Sequence, residues 1–72
     1  MKIAQINDRY VVSWHAHIAR ALEAKRWCYE SFGDAWGEVA LGVPNGIGIG
    51  NHVFKFHRLS HANWFILKHG VF

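Results

Sequence analysis

The chain has 72 residues, of which 51% are hydrophobic and 18% charged, with eight Lys+Arg against five Asp+Glu for a net charge of +3. That length fits one small domain, residues 1–72, with no room for a second, and that composition is globular, not that of a wholly disordered polypeptide. A single cysteine excludes an internal disulfide, and no apolar run approaches the ~18 residues of a membrane-spanning helix.

Residues 1–14 read as strand. Tyr10, Val12 and Trp14 alternate with Val11 and Ser13, and β-branched and aromatic residues dominate. Asn7-Asp8 is a bend or bulge that splits this segment in two. A helix then runs from Ser13 or the His15 region to about Phe32, with Ser13 as N-cap and Gly33 in the left-handed position that ends many helices. At 100° per residue, Trp14, Ile18, Ala21, Leu22, Cys28, Tyr29 and Phe32 share one broad face. The opposite face carries Ala16, Arg20, Glu23, Arg26, Trp27 and Glu30, so Trp27 stands on the polar side.

Val39, Leu41 and Val43 alternate with Glu38, Ala40 and Gly42, which predicts a strand. Pro44-Asn45-Gly46 is a turn signal, and a second strand follows over 52–56 with Phe54 and Phe56 on one face. The two strands form a hairpin. The last segment is either a strand over 63–69 or, preferred, a short helix from Ser60 to Gly70. In the helix, Ala62, Phe65, Ile66 and His69 face the core, with Trp64 and Leu67 flanking. The apolar Val71 and Phe72 are expected to dock on the domain. The expected architecture is thus α+β: a single layer of three to four mostly antiparallel strands packed on one long helix, with a short C-terminal helix or strand.

Trp27-Cys28, Phe32-Gly33 and Trp36, Phe54-x-Phe56, and Ala62-x-x-Phe65-x-Leu67-Lys68 with Gly70 form a pattern over about half the chain. It resembles a group of small proteins from tailed phages, in which a helix ending in Cys…Phe-Gly precedes an aromatic strand and an Ala-x-x-Phe-x-Leu-Lys/Arg helix. This chain has His61 where that group has an acidic residue, and His69 where it has Trp. The resemblance implies a compact α+β module and a phage setting, in which small proteins bind and disable or redirect a host machine such as RNA polymerase or a defence nuclease.

Six histidines stand in the chain. On a helix, His15 and His17 would point about 200° apart, which suits no single metal ion. His57 and His61 have i, i+4 spacing, but a strand-to-turn break intervenes, and a structural zinc site wants four Cys or His ligands. These histidines read as surface and boundary residues, with no metal and no cofactor expected. Cys28 lies on the apolar helix face, where a thiol is inert. The five carboxylates show no pairing for acid–base work. Gly46-Ile47-Gly48-Ile49-Gly50 lacks the lysine and the following helix of a phosphate loop, and reads as an exposed hairpin arm able to add to a partner's sheet edge.

Eleven aromatics exceed what a small core needs, so a contact patch is expected, covered by a homodimer or a larger partner. The predicted partner-binding set is Arg20, Arg26, Trp27 and Glu30 on the helix with Gly46, Ile47, Gly48 and Ile49 on the arm. The partner is a host protein, met in the cytoplasm through an acidic surface that the basic chain steers toward. No signal segment opens the chain. The alternative is direct nucleic-acid binding through Arg9, Lys55, Arg58 and Lys68.

Overall fold

The computed structural model describes residues 1–70, so the expected docking of Val71 and Phe72 lies outside them. The first segment is a hairpin of β1 (Lys2–Ile6) and β2 (Arg9–His17). Ile6 and Arg9 pair at its base, and Asn7 takes a left-handed φ of 55° between them. Asparagine tolerates that region because its short amide can bond to nearby backbone.

β2 does not end at Trp14. The alternation continues, with Val12, Trp14 and Ala16 buried and Ser13, His15 and His17 exposed. All of β2 from Tyr10 to His17 pairs antiparallel with β4 (Ile49–Phe56). Ser13 is therefore mid-strand and caps nothing. α1 (Ile18–Phe32) starts after His17, whose extended backbone and Nδ1, accepting from the Ala19 N–H at 3.0 Å, make it the N-cap. Gly33 ends the helix as expected, at φ 80° with its N–H donating to the Tyr29 carbonyl.

The helix face is rotated from the expected one. Ala21, Ala24 and Cys28 are buried, whereas Leu22 and Tyr29 are exposed. The space beneath the helix is filled by Trp14, Trp36, Phe54, Phe56 and Phe65, so only small side chains fit along its line of closest approach.

β3 (Gly37–Ala40) pairs antiparallel with β4, as the hairpin reading expected, but it stops at Ala40. Residues 41–48 form a loop in which Val43 is fully out in solvent. Gly37 opposes Phe56 at φ 150°, and a Cβ there would lie 1.8 Å from the Lys55 carbonyl oxygen. Gly37→Ala is expected to cost more than ~1 kcal/mol, and so to lower the melting temperature by at least ~4 °C in a thermal melt followed by circular dichroism.

The sheet has the order β1-β2-β4-β3. The last segment is the helix α2 (Leu59–His69). It begins one residue before Ser60, flanked by an extended Arg58 that offers no side-chain cap. Gly70 is extended, not left-handed, and its N–H donates to the Ile66 carbonyl at 2.7 Å. Ala62 and Phe65 are buried, and Ile66 and His69 half-buried, as predicted for the core face. Both helices cover the face of the sheet that carries Val12, Trp14, Phe54 and Phe56; Ser13, His15 and Asn51 on the other face are exposed. Among the described residues no helix is long and apolar enough to cross a membrane.

Candidate functional site

The predicted binding set does not assemble into one surface. On α1, Arg26 Nε and Glu30 Oε1 form an exposed i, i+4 pair at 3.1 Å, a contact worth about 0.3–0.5 kcal/mol on a helix. Arg20 turns away from that pair and sets its guanidinium 5.5 Å over the Trp14 ring. Trp27 is not a free anchor on the polar side. It is half-buried between the helices, edge-on to Phe32 at 5.2 Å and to His69 at 4.9 Å. Its flank of α1 is the one that α2 covers.

The glycine segment is not an open arm. Asn45 organises it: the Asn45 N–H donates to the Ile49 carbonyl, its Oδ1 accepts from the Ile47 and Ile49 N–H groups, and its carbonyl accepts from Gly48. Gly48 sits at φ 85°, where a Cβ would strike the His17 ring 2.4 Å away. Ile49 and Gly50 belong to β4 and pair with β2 on one side; on the other, beyond the end of β3, the loop itself meets them, Asn45 bonding Ile49 and the Val43 carbonyl oxygen lying 3.1 Å from where a Gly50 Cβ would stand, so they present no open sheet edge. The Ile18 N–H donates to the Gly48 carbonyl, which fixes the turn at the start of α1, about 12 Å of helix rise from Arg26. Val43 and Ile47 remain 92% and 72% exposed at the loop tip.

The alternative basic set is divided between the two sides of the sheet. Arg9 and Lys55 meet on the uncovered face, at a shallow depression of about 510 Å³ that Val11 and Val53 also line. Asp8 and Glu38 line the same depression, and Arg9 Nη1 is bonded to Glu38 Oε1 at 2.9 Å. Two cations and two carboxylates cancel there, which is a poor cradle for a phosphate backbone. Arg58 and Lys68 lie at opposite ends of α2, on the helical side.

The histidines have distinct roles. His15 and His17 share the outer face of β2, because the segment is strand where a helix was expected. His15 Nδ1 and Asn51 Oδ1 are 2.8 Å apart. His17 Nδ1 accepts a backbone N–H, so its proton sits on Nε2 and no lone pair remains for a metal. Among the described residues no three His, Cys, Asp or Glu side chains are grouped to hold an ion. His52 departs most from a surface reading: it is wholly buried, with Nδ1 accepting from the Gly42 N–H at 3.1 Å and Nε2 donating to the Ala16 carbonyl at 3.0 Å. Its register with Phe54 and Phe56 was the signal for this. Cys28 is buried, and desolvation pushes its thiol up to about 12, so it carries no thiolate at neutral pH.

The exposed apolar surface that the sequence reading passed over lies on α2. Trp64 is 60% and Leu67 68% exposed, and with Lys68 they line a cleft of about 220 Å³. These two side chains project about 60° apart on the helix and point away from Ala62 and Phe65, so they face solvent and do not flank the core. Comparison with protein-family models, with curated proteins and with solved structures gives no match.

Proposed function

We propose that this chain is a non-enzymatic binding module that docks on a partner protein through the solvent side of α2, led by Trp64 and Leu67. One observation carries this reading: a tryptophan and a leucine, one helical turn apart, are mostly exposed in a protein that buries its other three indoles wholly or in part. Desolvating such a pair on a rigid helix is how interface hot spots gain affinity. Lys68 beside them, and the net charge of +3, favour an acidic patch on the partner. The resemblance to small tailed-phage proteins directs the reading toward a host machine that processes nucleic acid, met in the cytoplasm and inhibited or modulated by having its surface covered. The buried, protonated Cys28 agrees with a role that makes and breaks no bonds.

Trp64→Ala with Leu67→Ala is expected to weaken capture of the host partner by immobilised protein at least ~10-fold, a loss of ~1.4 kcal/mol or more. The melting temperature should change little, because neither side chain is in the core. Undiminished capture by the double variant would overturn the reading. So would a bound species that proves to be nucleic acid, released steeply as salt rises.

A further inference from the structure

α2 turns two histidines, His61 and His69, toward its packed side. His61 lies flat on Phe32 of α1, with ring centroids 4.0 Å apart and planes 9° from parallel. His69 is held more tightly. It sits edge-on to Trp27 of α1 at 4.9 Å, against Phe65 at 4.9 Å and near Trp14 of β2 at 5.9 Å. His61 Nδ1 and His69 Nε2 are buried and find no hydrogen-bond partner among the described residues.

A neutral imidazole tolerates this position, because the unpartnered nitrogen can be the one with the bare lone pair. An imidazolium cannot, since both nitrogens then carry protons and one N–H stays buried and unpaired. The surrounding charges add to the bias. Arg58, at the start of α2, opposes a charge on His61. Around His69 stand Lys68 on α2 and Arg20 and Glu23 on α1, two cations against one carboxylate, while β2 presents the uncharged Trp14. Burial first, then these cations, hold both rings below their ordinary 6.5.

We propose that His61 and His69 form an acid-sensitive latch: their neutral rings hold α2 against α1, and proton uptake by both releases α2 and uncovers Trp27, Phe32 and Phe65. The sign follows from linkage. The released rings titrate at their ordinary value, while the docked rings resist protonation. The released state therefore binds more protons, and the docked state keeps its full stability above about pH 6.5 and loses it as the pH falls. The latch does not rest on the docking role of Trp64 and Leu67.

Amide hydrogen exchange at about pH 7 and about pH 5 tests it, within a window where carboxylates stay ionised. After correction for the intrinsic pH dependence, α2 amides are expected to lose at least about tenfold protection at the lower pH while β2 and β4 keep theirs. His61→Phe with His69→Phe keeps both rings and removes both protonation sites, and should hold α2 protection constant. Equal α2 protection at both pH values in the wild type overturns the latch, as does the same loss in the double variant. If that variant does not fold, the wild-type histidine ring resonances decide. Titration of His61 and His69 at the midpoint of α2 opening supports the latch, and titration uncoupled from it rejects the latch.

Discussion

Phe65→Ala is expected to lower the free energy of unfolding by about 3–5 kcal/mol, a large part of what a domain of this size holds. Phe65 has no exposed surface. Its ring lies 4.6 Å from Phe54, 5.4 Å from Phe56 and 5.9 Å from Trp14, and it touches His69 and Trp27 as well. Among the described residues it is the one large side chain of α2 that is fully buried. Removing a buried phenyl ring costs about 3–5 kcal/mol, because the rigid rings around it cannot collapse into the gap. A domain of this size holds roughly 4–11 kcal/mol in all, and one without disulfides sits toward the lower end. The loss and the total are of the same order. Urea titration followed by near-ultraviolet circular dichroism reads the outcome, with Phe65→Leu as the control that keeps most of the volume. A Phe65→Ala variant within ~1 kcal/mol of wild type would mean that α2 does not close the core.

Local patterns in the sequence predicted the parts of the fold that local forces decide. The alternation of Phe54 and Phe56, the stop at Gly33, the pairing of β3 with β4 and the inward set Ala62, Phe65, Ile66 and His69 all follow from periodicity or from one residue's backbone preference. The N-terminal third shows what periodicity misses. Residues 16–26 are mostly good helix formers and Ser13 is a good cap, yet β2 runs on to His17. What decides is the ladder with β4, reaching as far as His17↔Ile49, and a pairing across thirty-odd residues leaves no local mark. Trp27 differs from its expected exposure for a related reason. Periodicity places it on α1 opposite the apolar stripe, but nothing local says that α2 lies beside it. Trp64 and Leu67 differ in the opposite direction. As apolar residues in a short helix they look like core, and only the filling of that core by other rings leaves them outside.

Replacing His52 tests whether that buried core also sets the shape of the surface. His52 is in the inward row of β4, and its ring spans two backbone groups that no other side chain serves: it accepts from the Gly42 N–H and donates to the Ala16 carbonyl. The first bond ties the 41–48 loop to the sheet just beyond the end of β3; the second joins β4 to Ala16, the next-to-last residue of β2 before α1 begins. His52→Ala removes the ring and both of its hydrogen bonds, taking the acceptor from the Gly42 N–H and one donor from the Ala16 carbonyl. A cavity and two lost hydrogen bonds together are expected to cost about 2–5 kcal/mol. His52→Leu refills the volume but restores neither bond, so it is expected to recover only part of the loss. A His52→Leu variant as stable as wild type would show that the ring matters for its bulk alone. The loop gives a second reading. Without the tie at Gly42, the Gly42 and Ile47 amides are expected to exchange faster even under conditions where the sheet stays protected. The exposed tip of Val43 and Ile47 would then owe its fixed form to a histidine on the inner face of the sheet, as well as to Asn45 in the turn itself.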